Sequence, residues 1–278
     1  MTTSYNKVAL IGAFLLALIG AFSLTTGISF AATTATLLPA GEGTNLAWTP
    51  STGSTHYTMV DESSCNGTAD YVSETTVGDR DSYTVSLATI PNNAVITNIA
   101  LTPCASRNSG GGGSATLNVF YRFNGTASAD AGAYSLPTGT TPVTLVATNF
   151  SSLSLVKNSS STLQVGAVYT AGTKGVRLSH MATVITYETL PSAPTSLSTF
   201  VSSSTSALLV WTDIANNETG FKVERSTDNV NFTQIGTKGV NATSYTDLNP
   251  GTGTFYYKVR AYNVVGNSGY TNTSSITL

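Results

Sequence analysis

The sequence predicts an all-β protein in which two β-sandwich domains in tandem follow a signal peptide. Apolar and polar residues alternate with a period of two, as where Tyr83, Val85 and Leu87 share one face of a strand. No segment after the leader carries a sustained apolar stripe at helical spacing. Loops rich in Gly, Asn, Pro and Ser separate the apolar segments, which is typical of a sandwich of two sheets.

Residues 1–31 form the predicted signal peptide. A weakly positive start at Lys7 precedes an apolar stretch, and Ser29-Phe30-Ala31 places small residues at the two positions that a signal peptidase reads. We expect cleavage after Ala31. The alternative is an uncleaved membrane anchor, because the apolar run from Val8 to Leu24 approaches the roughly 20 residues that span a bilayer. The protein would contact a membrane only in that case.

The composition favours a secreted or cell-surface protein. Charged residues make up 9% of the chain and the formal net charge is −2, whereas an average soluble protein has about 25% charged residues. A polar but uncharged surface is common among extracellular β-proteins. The chain has no basic run that could neutralise phosphates, so nucleic acid is excluded as a partner.

The chain has two cysteines, Cys65 and Cys104, and both lie in the first predicted domain. An even pair in an exported chain favours a disulfide bond. The alternative is two buried free thiols. The spacing is not that of a redox motif, and a zinc ion would lack further ligands.

The first domain is predicted to cover residues 32–189. Its clearest strands run from Val95 to Leu101, from Leu117 to Phe123, from Leu163 to Tyr169 and from Val176 to Tyr187. The strand from Leu117 to Phe123 ends at Asn124-Gly125, a pair that favours a two-residue hairpin turn because both residues tolerate positive φ.

The second domain is predicted to cover residues 190–278. The composition changes at Leu190-Pro191-Ser192-Ala193-Pro194, where two prolines stiffen the chain and remove ladder donors. Strands follow from Leu208 to Asp213, from Gly220 to Ser226 and from Phe255 to Asn263. The early Trp211, the GFKVERS strand and the pattern Tyr257-x-Val259-x-Ala261-x-Asn263 followed by Gly266 resemble fibronectin type III domains.

This resemblance covers about residues 191–278 and implies an immunoglobulin-like sandwich that serves as a spacer or a protein-binding module. It predicts a core formed by Trp211, Phe221, Val223, Tyr257, Val259 and Ala261. One departure is visible. The family usually has a tyrosine before the sixth strand whose hydroxyl closes a corner, and this chain has Phe255 there, one residue later.

The first domain has a looser resemblance. Trp48-Thr49-Pro50-Ser51-Thr52-Gly53, His56-Tyr57, Val60-Asp61-Glu62 and Tyr71-Val72 together are similar to sandwich domains of bacterial surface proteins and of phage structural proteins. The resemblance implies no catalytic residue.

The groups that could perform chemistry are few. His56 and His180 are the two histidines, and neither lies in a nucleophile motif. Five carboxylates of the first domain are clustered in sequence: Asp61, Glu62, Asp70, Asp79 and Asp81. They are interpreted as solvated loop acids, with calcium binding and a catalytic pair as the alternatives. We therefore expect no enzyme and no cofactor, with calcium left open.

The function that these observations favour is structural or adhesive work at a microbial cell surface, through protein–protein contacts. The alternative is a glycan-binding module with the second domain as a spacer, which exposed aromatic side chains on one sheet face would favour. Self-assembly is a further hypothesis. The uncharged segment from Ala32 to Leu38, with Leu37 and Leu38 at its end, could pair with its own sandwich or complete the sheet of a neighbouring molecule.

Overall fold

The computed structural model describes residues 32–65 and 70–278, so the predicted signal peptide lies outside the described residues. Within them the chain folds into β-strands, and the helical content is one 3₁₀ turn at Tyr57–Met59. No helix in this part of the chain is long and apolar enough to cross a bilayer. The all-β prediction is confirmed.

Residues 32–188 contain fourteen strands that form two sheets. In chain order the strands are β1 (Thr33–Leu37), β2 (Pro39–Leu46), β3 (Thr49–Pro50), β4 (Val72–Glu74), β5 (Arg80–Val85), β6 (Val95–Arg107), β7 (Ala115–Phe123), β8 (Thr126–Ala127), β9 (Ala131–Ser135), β10 (Val143–Thr144), β11 (Thr148–Phe150), β12 (Leu155–Val156), β13 (Leu163–Gly172) and β14 (Val176–Glu188).

The two long strands β6 and β14 pair with each other and form the centre of the first sheet. Its order is β10-β6-β14-β4-β3, with β1 also on β14 and with β11 and β12 also on β6. The second sheet has the order β2-β5-β13-β7-β8, with β9 also on β7. All pairings are antiparallel.

The predicted hairpin between β7 and β8 is confirmed. Phe123 pairs with Thr126, so Asn124 and Gly125 are the two turn residues. Their φ angles are 48° and 84°, which only asparagine, aspartate and glycine adopt readily. The turn therefore fixes the register at this edge of the second sheet.

The core of the first domain lies between its two sheets. Tyr83, Val85 and Leu87 are all buried there, as their alternation predicts. Trp48 is also buried, and its indole N–H donates to the carbonyl of Asp79 at 3.0 Å. This bond satisfies the one polar atom of a side chain that otherwise packs among apolar groups.

Residues 195–277 contain eight strands that form two further sheets. In chain order they are β15 (Thr195–Ser203), β16 (Ser206–Thr212), β17 (Gly220–Ser226), β18 (Thr233–Gly239), β19 (Ser244–Leu248), β20 (Thr254–Tyr262), β21 (Asn267–Tyr270) and β22 (Ser274–Thr277). The smaller sheet has the order β15-β16-β19. The larger has the order β18-β17-β20-β21, with β22 also on β20.

A second and separate core lies between these sheets. The six residues predicted for it are all buried: Trp211, Phe221, Val223, Tyr257, Val259 and Ala261. The rings of Trp211 and Phe221 lie 5.5 Å apart, centroid to centroid.

A buried carboxylate joins the two sheets where a tyrosine corner was not expected. Asp247 accepts a hydrogen bond from the Tyr257 hydroxyl at 2.9 Å and one from the Arg225 guanidinium at 2.8 Å. Burial raises the pKa of Tyr257 well above its usual range, and the hydrogen bond from the Tyr257 hydroxyl to Asp247 raises it further. Phe255 is buried and has no hydroxyl to donate, so this bond links the sheets from a different position.

The segment between the two domains is held by side chains of the second. Asn217 and Asn263 both donate to the carbonyl of Thr189, at 2.9 Å and 2.8 Å. Because two amides fix one carbonyl, the chain leaves β14 along a defined path.

Candidate interaction surfaces

The predicted disulfide is confirmed. Cys65 and Cys104 are bonded, with their Cα atoms 5.5 Å apart. Cys104 lies in β6 and is buried, so the bond fastens the loop that contains Cys65 to a central strand.

Asp81 was predicted among loop acids, but it lies inside the first domain. It occupies β5, is 0% exposed, and accepts hydrogen bonds from the His56 ring Nδ1–H at 2.9 Å and from the Tyr83 hydroxyl at 3.0 Å. Burial raises the pKa of Asp81 to about 6, and the hydrogen bond from His56 opposes that rise. A carboxylate that is held internally by two donors has a structural role in this arrangement.

The other four candidate carboxylates do not join Asp81. Burial raises the pKa of Glu62, and the nearby charges of Asp61 and Asp70 raise it further. Asp79 lies in the turn before β5, where its carbonyl accepts the Trp48 indole bond. Within residues 32–65 and 70–278, no group of three or more His, Cys, Asp or Glu side chains could hold a metal ion. Calcium binding stays a prediction.

His180 is also buried. It lies opposite Cys104 in the ladder between β14 and β6, and its Nδ1 atom has no hydrogen-bond partner among the described residues. Burial lowers the pKa of His180. Neither histidine therefore presents a free ring at the surface.

The segment proposed for self-assembly pairs with its own sandwich. Strand β1 lies antiparallel to β14, with Thr33 opposite Tyr187 and Leu37 opposite Thr183. Leu37 is partly buried against the core. After Leu38 the chain crosses to the other sheet, where Pro39 pairs with Val85. This is the intramolecular alternative, and strand exchange between molecules stays a prediction.

The first domain has no exposed aromatic side chain among its described residues. Its exposed large hydrophobic residues are all aliphatic: Leu46, Val77, Val143, Val146 and Val156. They are spread over several loops and strands rather than aligned on one sheet face. Single exposed aliphatic residues of this kind are ordinary on protein surfaces.

The outer face of the β15-β16-β19 sheet is different, and we name it the apolar face. Phe200 lies opposite Leu208 in the ladder, and Ser206 lies opposite Leu248. Phe200 is 53% exposed and Leu248 is 70% exposed, with Val210 on the same face. The residues of these three strands that point outward include no charged side chain. An uncharged surface with several large apolar side chains results.

The outer face of the larger sheet has another chemistry, and we name it the basic–aromatic face. It is formed by Lys222 and Glu224 of β17, Tyr256, Lys258, Arg260 and Tyr262 of β20, Tyr270 of β21 and the neighbouring Phe232. The Lys258 ammonium lies 3.9 Å from the centroid of the Phe232 ring, and the Arg260 guanidinium lies 4.7 Å from that of Tyr270. The Lys222 ammonium lies 5.1 Å from the centroid of the Tyr262 ring.

The comparisons with known proteins fit the C-terminal sandwich. An Fn3-like protein from Clostridium thermocellum is 31% identical, over 31% of this chain and 92% of that chain, with a TM-score of 0.28. A structure of titin kinase and its flanking domains is 24% identical, over 31% of this chain and 17% of the titin chain, with a TM-score of 0.29. No protein-family model and no curated protein matches the chain.

Strand order and core residues decide the assignment. A three-stranded sheet packs on a larger sheet around Trp211 and Tyr257, as the sequence resemblance predicts. The C-terminal domain is a fibronectin type III domain. A beta-1,2-glucanase from Parabacteroides distasonis aligns with 89% of this chain and 37% of that chain, at 13% identity and a TM-score of 0.27.

Sequence reasoning missed both outer faces of the fibronectin type III domain. For the basic–aromatic face a signal was present, because Tyr256, Lys258, Arg260 and Tyr262 alternate with core residues in one strand. For the apolar face the signal was absent. Leu208-Leu209-Val210-Trp211 is a continuous apolar run, and a period of two cannot show which of its residues point outward.

Proposed function

We propose that this chain is an exported, non-catalytic structural or adhesive protein of a microbial cell surface that acts through protein–protein contacts. The observation that carries the proposal is the apolar face of the fibronectin type III domain. Phe200 and Leu248 stand more than half exposed there, and Val210 lies beside them.

Physical chemistry gives this face its meaning. Burying a large apolar side chain stabilises a fold or a complex by about 1.5–3 kcal/mol. In the single chain these side chains remain in water, so a partner that covers them would gain this stabilisation. A group of exposed apolar residues on one surface is typical of a contact site, whereas isolated ones are not. The outward residues of β15, β16 and β19 carry no charge. A partner that covers them would therefore not have to remove water from any charged group.

The disulfide and the composition support export. A bonded, buried Cys104 is typical of chains that fold in an oxidising compartment. The predicted leader and the 9% charged content agree with that location.

The placement of the titratable groups supports a non-catalytic role. His56 donates its Nδ1–H to the buried Asp81, and the carboxylate also accepts the Tyr83 hydroxyl. His180 is buried beside the disulfide-bonded strand. Both histidines and Asp81 are thus part of the packed interior.

The test is retention of the secreted protein on envelopes of the cells that produce it. The variant Phe200→Ser/Leu248→Ser should bind about 10-fold or more weakly, since two large apolar side chains lose their contacts. The matched control is Val146→Ser/Val156→Ser, which removes two exposed aliphatic residues of the first domain and should bind like the wild type.

Protease treatment of the envelopes should abolish binding, because the proposed partner is a protein. Equal losses for both double variants, or none for the apolar-face variant, would contradict the proposal. Circular dichroism of each variant should show an unchanged melting temperature within a few degrees.

Glycan binding remains the second candidate, with the roles of the two domains exchanged. Among the described residues, exposed aromatic side chains occur on the fibronectin type III domain and not on the first domain. A glycan-binding first domain with a spacer behind it therefore has less support than a glycan-binding surface on the second.

A further inference from the structure

The basic–aromatic face keeps positive charge that nothing in the described chain neutralises. Its one carboxylate, Glu224, is 5% exposed. Two other residues of the face bind it: the Arg260 guanidinium at 2.6 Å and the Tyr270 hydroxyl at 2.9 Å. Among the residues that the structure describes, Lys222 and Lys258 have no carboxylate within salt-bridge distance. The face therefore presents two unpaired ammonium groups, on a chain whose formal net charge is −2.

The strand register brings two cations together on this face. Lys222 lies directly opposite Arg260 in the ladder between β17 and β20, and Lys258 lies directly opposite Glu224. The Glu224 carboxylate binds Arg260 and offsets part of the repulsion between Arg260 and Lys222. Like charges directly opposite each other on one sheet face are destabilising. An anionic ligand would relieve this repulsion, and the arrangement therefore points to one.

The aromatic rings hold the cations in place. Lys258 lies between Phe232 and Tyr270, with its ammonium 3.9 Å and 5.4 Å from the two ring centroids. Cation–π contacts of this kind restrict long side chains without removing their charge. Because the lysine is already ordered, binding an anion costs less side-chain entropy.

The remaining chemistry of the face favours a sugar polymer over a protein. The outward positions of β17 and β20 hold no aliphatic side chain, and lysine is depleted at protein–protein interfaces. Tyr256 and Tyr262 lie at the two ends of the cationic pair on β20, and Tyr270 is 41% exposed beside it. Tyrosine rings present flat faces on which the C–H groups of a pyranose can pack.

We propose that the basic–aromatic face binds an acidic polysaccharide whose sugar carboxylates pair with Lys222 and Lys258. The sugar rings of the polymer pack on the exposed Tyr270 and on the half-buried Tyr256 and Tyr262. This surface lies on the opposite sheet from the apolar face, so one domain would join a protein partner to an anionic glycan. The inference does not depend on the protein contact proposed above.

The test is isothermal titration of the full secreted protein with polygalacturonate, with dextran as the neutral polysaccharide. We expect binding to polygalacturonate that weakens as salt rises, and none to dextran. Lys222→Gln/Lys258→Gln should weaken binding about 10-fold or more, as expected for the loss of two charge-assisted contacts. The matched control Lys238→Gln removes an exposed lysine of the same domain that lies outside this face, and it should bind within about 2-fold of wild type.

Two further ligands separate sugar recognition from charge alone. Poly-glutamate and a single-stranded DNA oligonucleotide carry anions without a pyranose carboxylate, and we expect both to bind at least 10-fold more weakly than polygalacturonate. Tyr270→Leu keeps Lys222, Lys258 and Arg260 and should weaken polygalacturonate binding selectively. Equal binding of all three polyanions, equal effects of the two lysine variants, or no binding of polygalacturonate would overturn the proposal.

Discussion

The two domains of this protein differ in the aromatic side chains that they leave exposed. In the first domain Trp48, Tyr83 and Tyr169 are fully buried, and the hydrogen bond between His56 and Asp81 lies inside. In the fibronectin type III domain, Phe200 and Tyr270 are exposed and cations lie over aromatic rings on the outer sheet face. Buried groups specify and stabilise a fold, whereas large apolar groups left in water contribute little to it.

This difference separates two kinds of work. The first domain has a disulfide and a buried polar pair that stabilise its sandwich, and we propose that it is a scaffold. The fibronectin type III domain has a small core and two chemically different outer faces available for contact. Variants of the first domain should therefore change stability, and variants of the outer faces should change binding.

The largest effect is expected in the core of the fibronectin type III domain. Trp211→Ala should lower its free energy of unfolding by about 3–5 kcal/mol, since a large cavity replaces the ring that packs on Phe221. Calorimetry should show a shifted transition for this domain and an unchanged one for the first. A single transition that shifts as one unit would contradict two separately packed cores.

The disulfide should be the next largest contribution, and it should affect the first domain alone. Replacing Cys65 and Cys104 by serine opens a loop with a sequence separation of 39 residues. The free energy of unfolding should fall by about 3–4 kcal/mol, chiefly because the unfolded chain gains entropy without the cross-link. Urea unfolding of the oxidised and reduced wild type gives the same comparison without mutation, and equal midpoints would refute it.

The buried carboxylate should make stability depend on pH in an unusual direction. The folded pKa of Asp81, about 6, lies above the value of about 3.9 for an unfolded aspartate. As pH rises from about 4 to 6 the unfolded chain releases this proton first, so the wild type should lose about 2–3 kcal/mol there.

Asp81→Asn cannot ionise and isolates this contribution. The stability of the wild type minus that of Asp81→Asn should fall between pH 4 and pH 6, measured by urea unfolding at each pH. A difference that is flat or rises across this interval would show that Asp81 is ionised in the folded protein throughout.

A smaller effect is expected at the edge of the first sheet. Deleting Ala32 to Leu38 removes the ladder with β14 and the partly buried Ala35 and Leu37. The free energy of unfolding of the monomer should fall by about 2 kcal/mol. Analytical ultracentrifugation distinguishes the alternative. If the strand is exchanged between molecules, the deleted monomer keeps its stability while polymers of the wild type disappear.

Much of the fold follows from local sequence, and particular residues show where that reasoning stops. The Asn124-Gly125 turn and the buried alternation of Val223, Val259 and Ala261 are readable because each depends on near neighbours. Asp81 was wrongly predicted to be a loop acid. It lies at alternate positions of β5 with Tyr83 and Val85, so its side chain points inward as theirs do. Its stability inside depends on His56, which is distant in the chain and could not be inferred from spacing.

The outer faces depend on how two sheets pack, which the sequence expresses weakly. Phe200 and Leu208 become neighbours only through the ladder between β15 and β16. Glu224 lies directly opposite Lys258 in the ladder, yet its carboxylate binds Arg260, the diagonal neighbour, and leaves Lys222 and Lys258 without a carboxylate partner.

The central claim is that contacts are made by the fibronectin type III domain and that the first domain is a scaffold. Amide hydrogen exchange of the purified protein, free and bound to envelopes of the producing cells, tests it most directly. We predict slower exchange on binding in the strands that carry the two outer faces, β15, β16, β19, β17 and β20. Exchange in β1 to β14 should not change. Protection confined to the first domain would contradict the account.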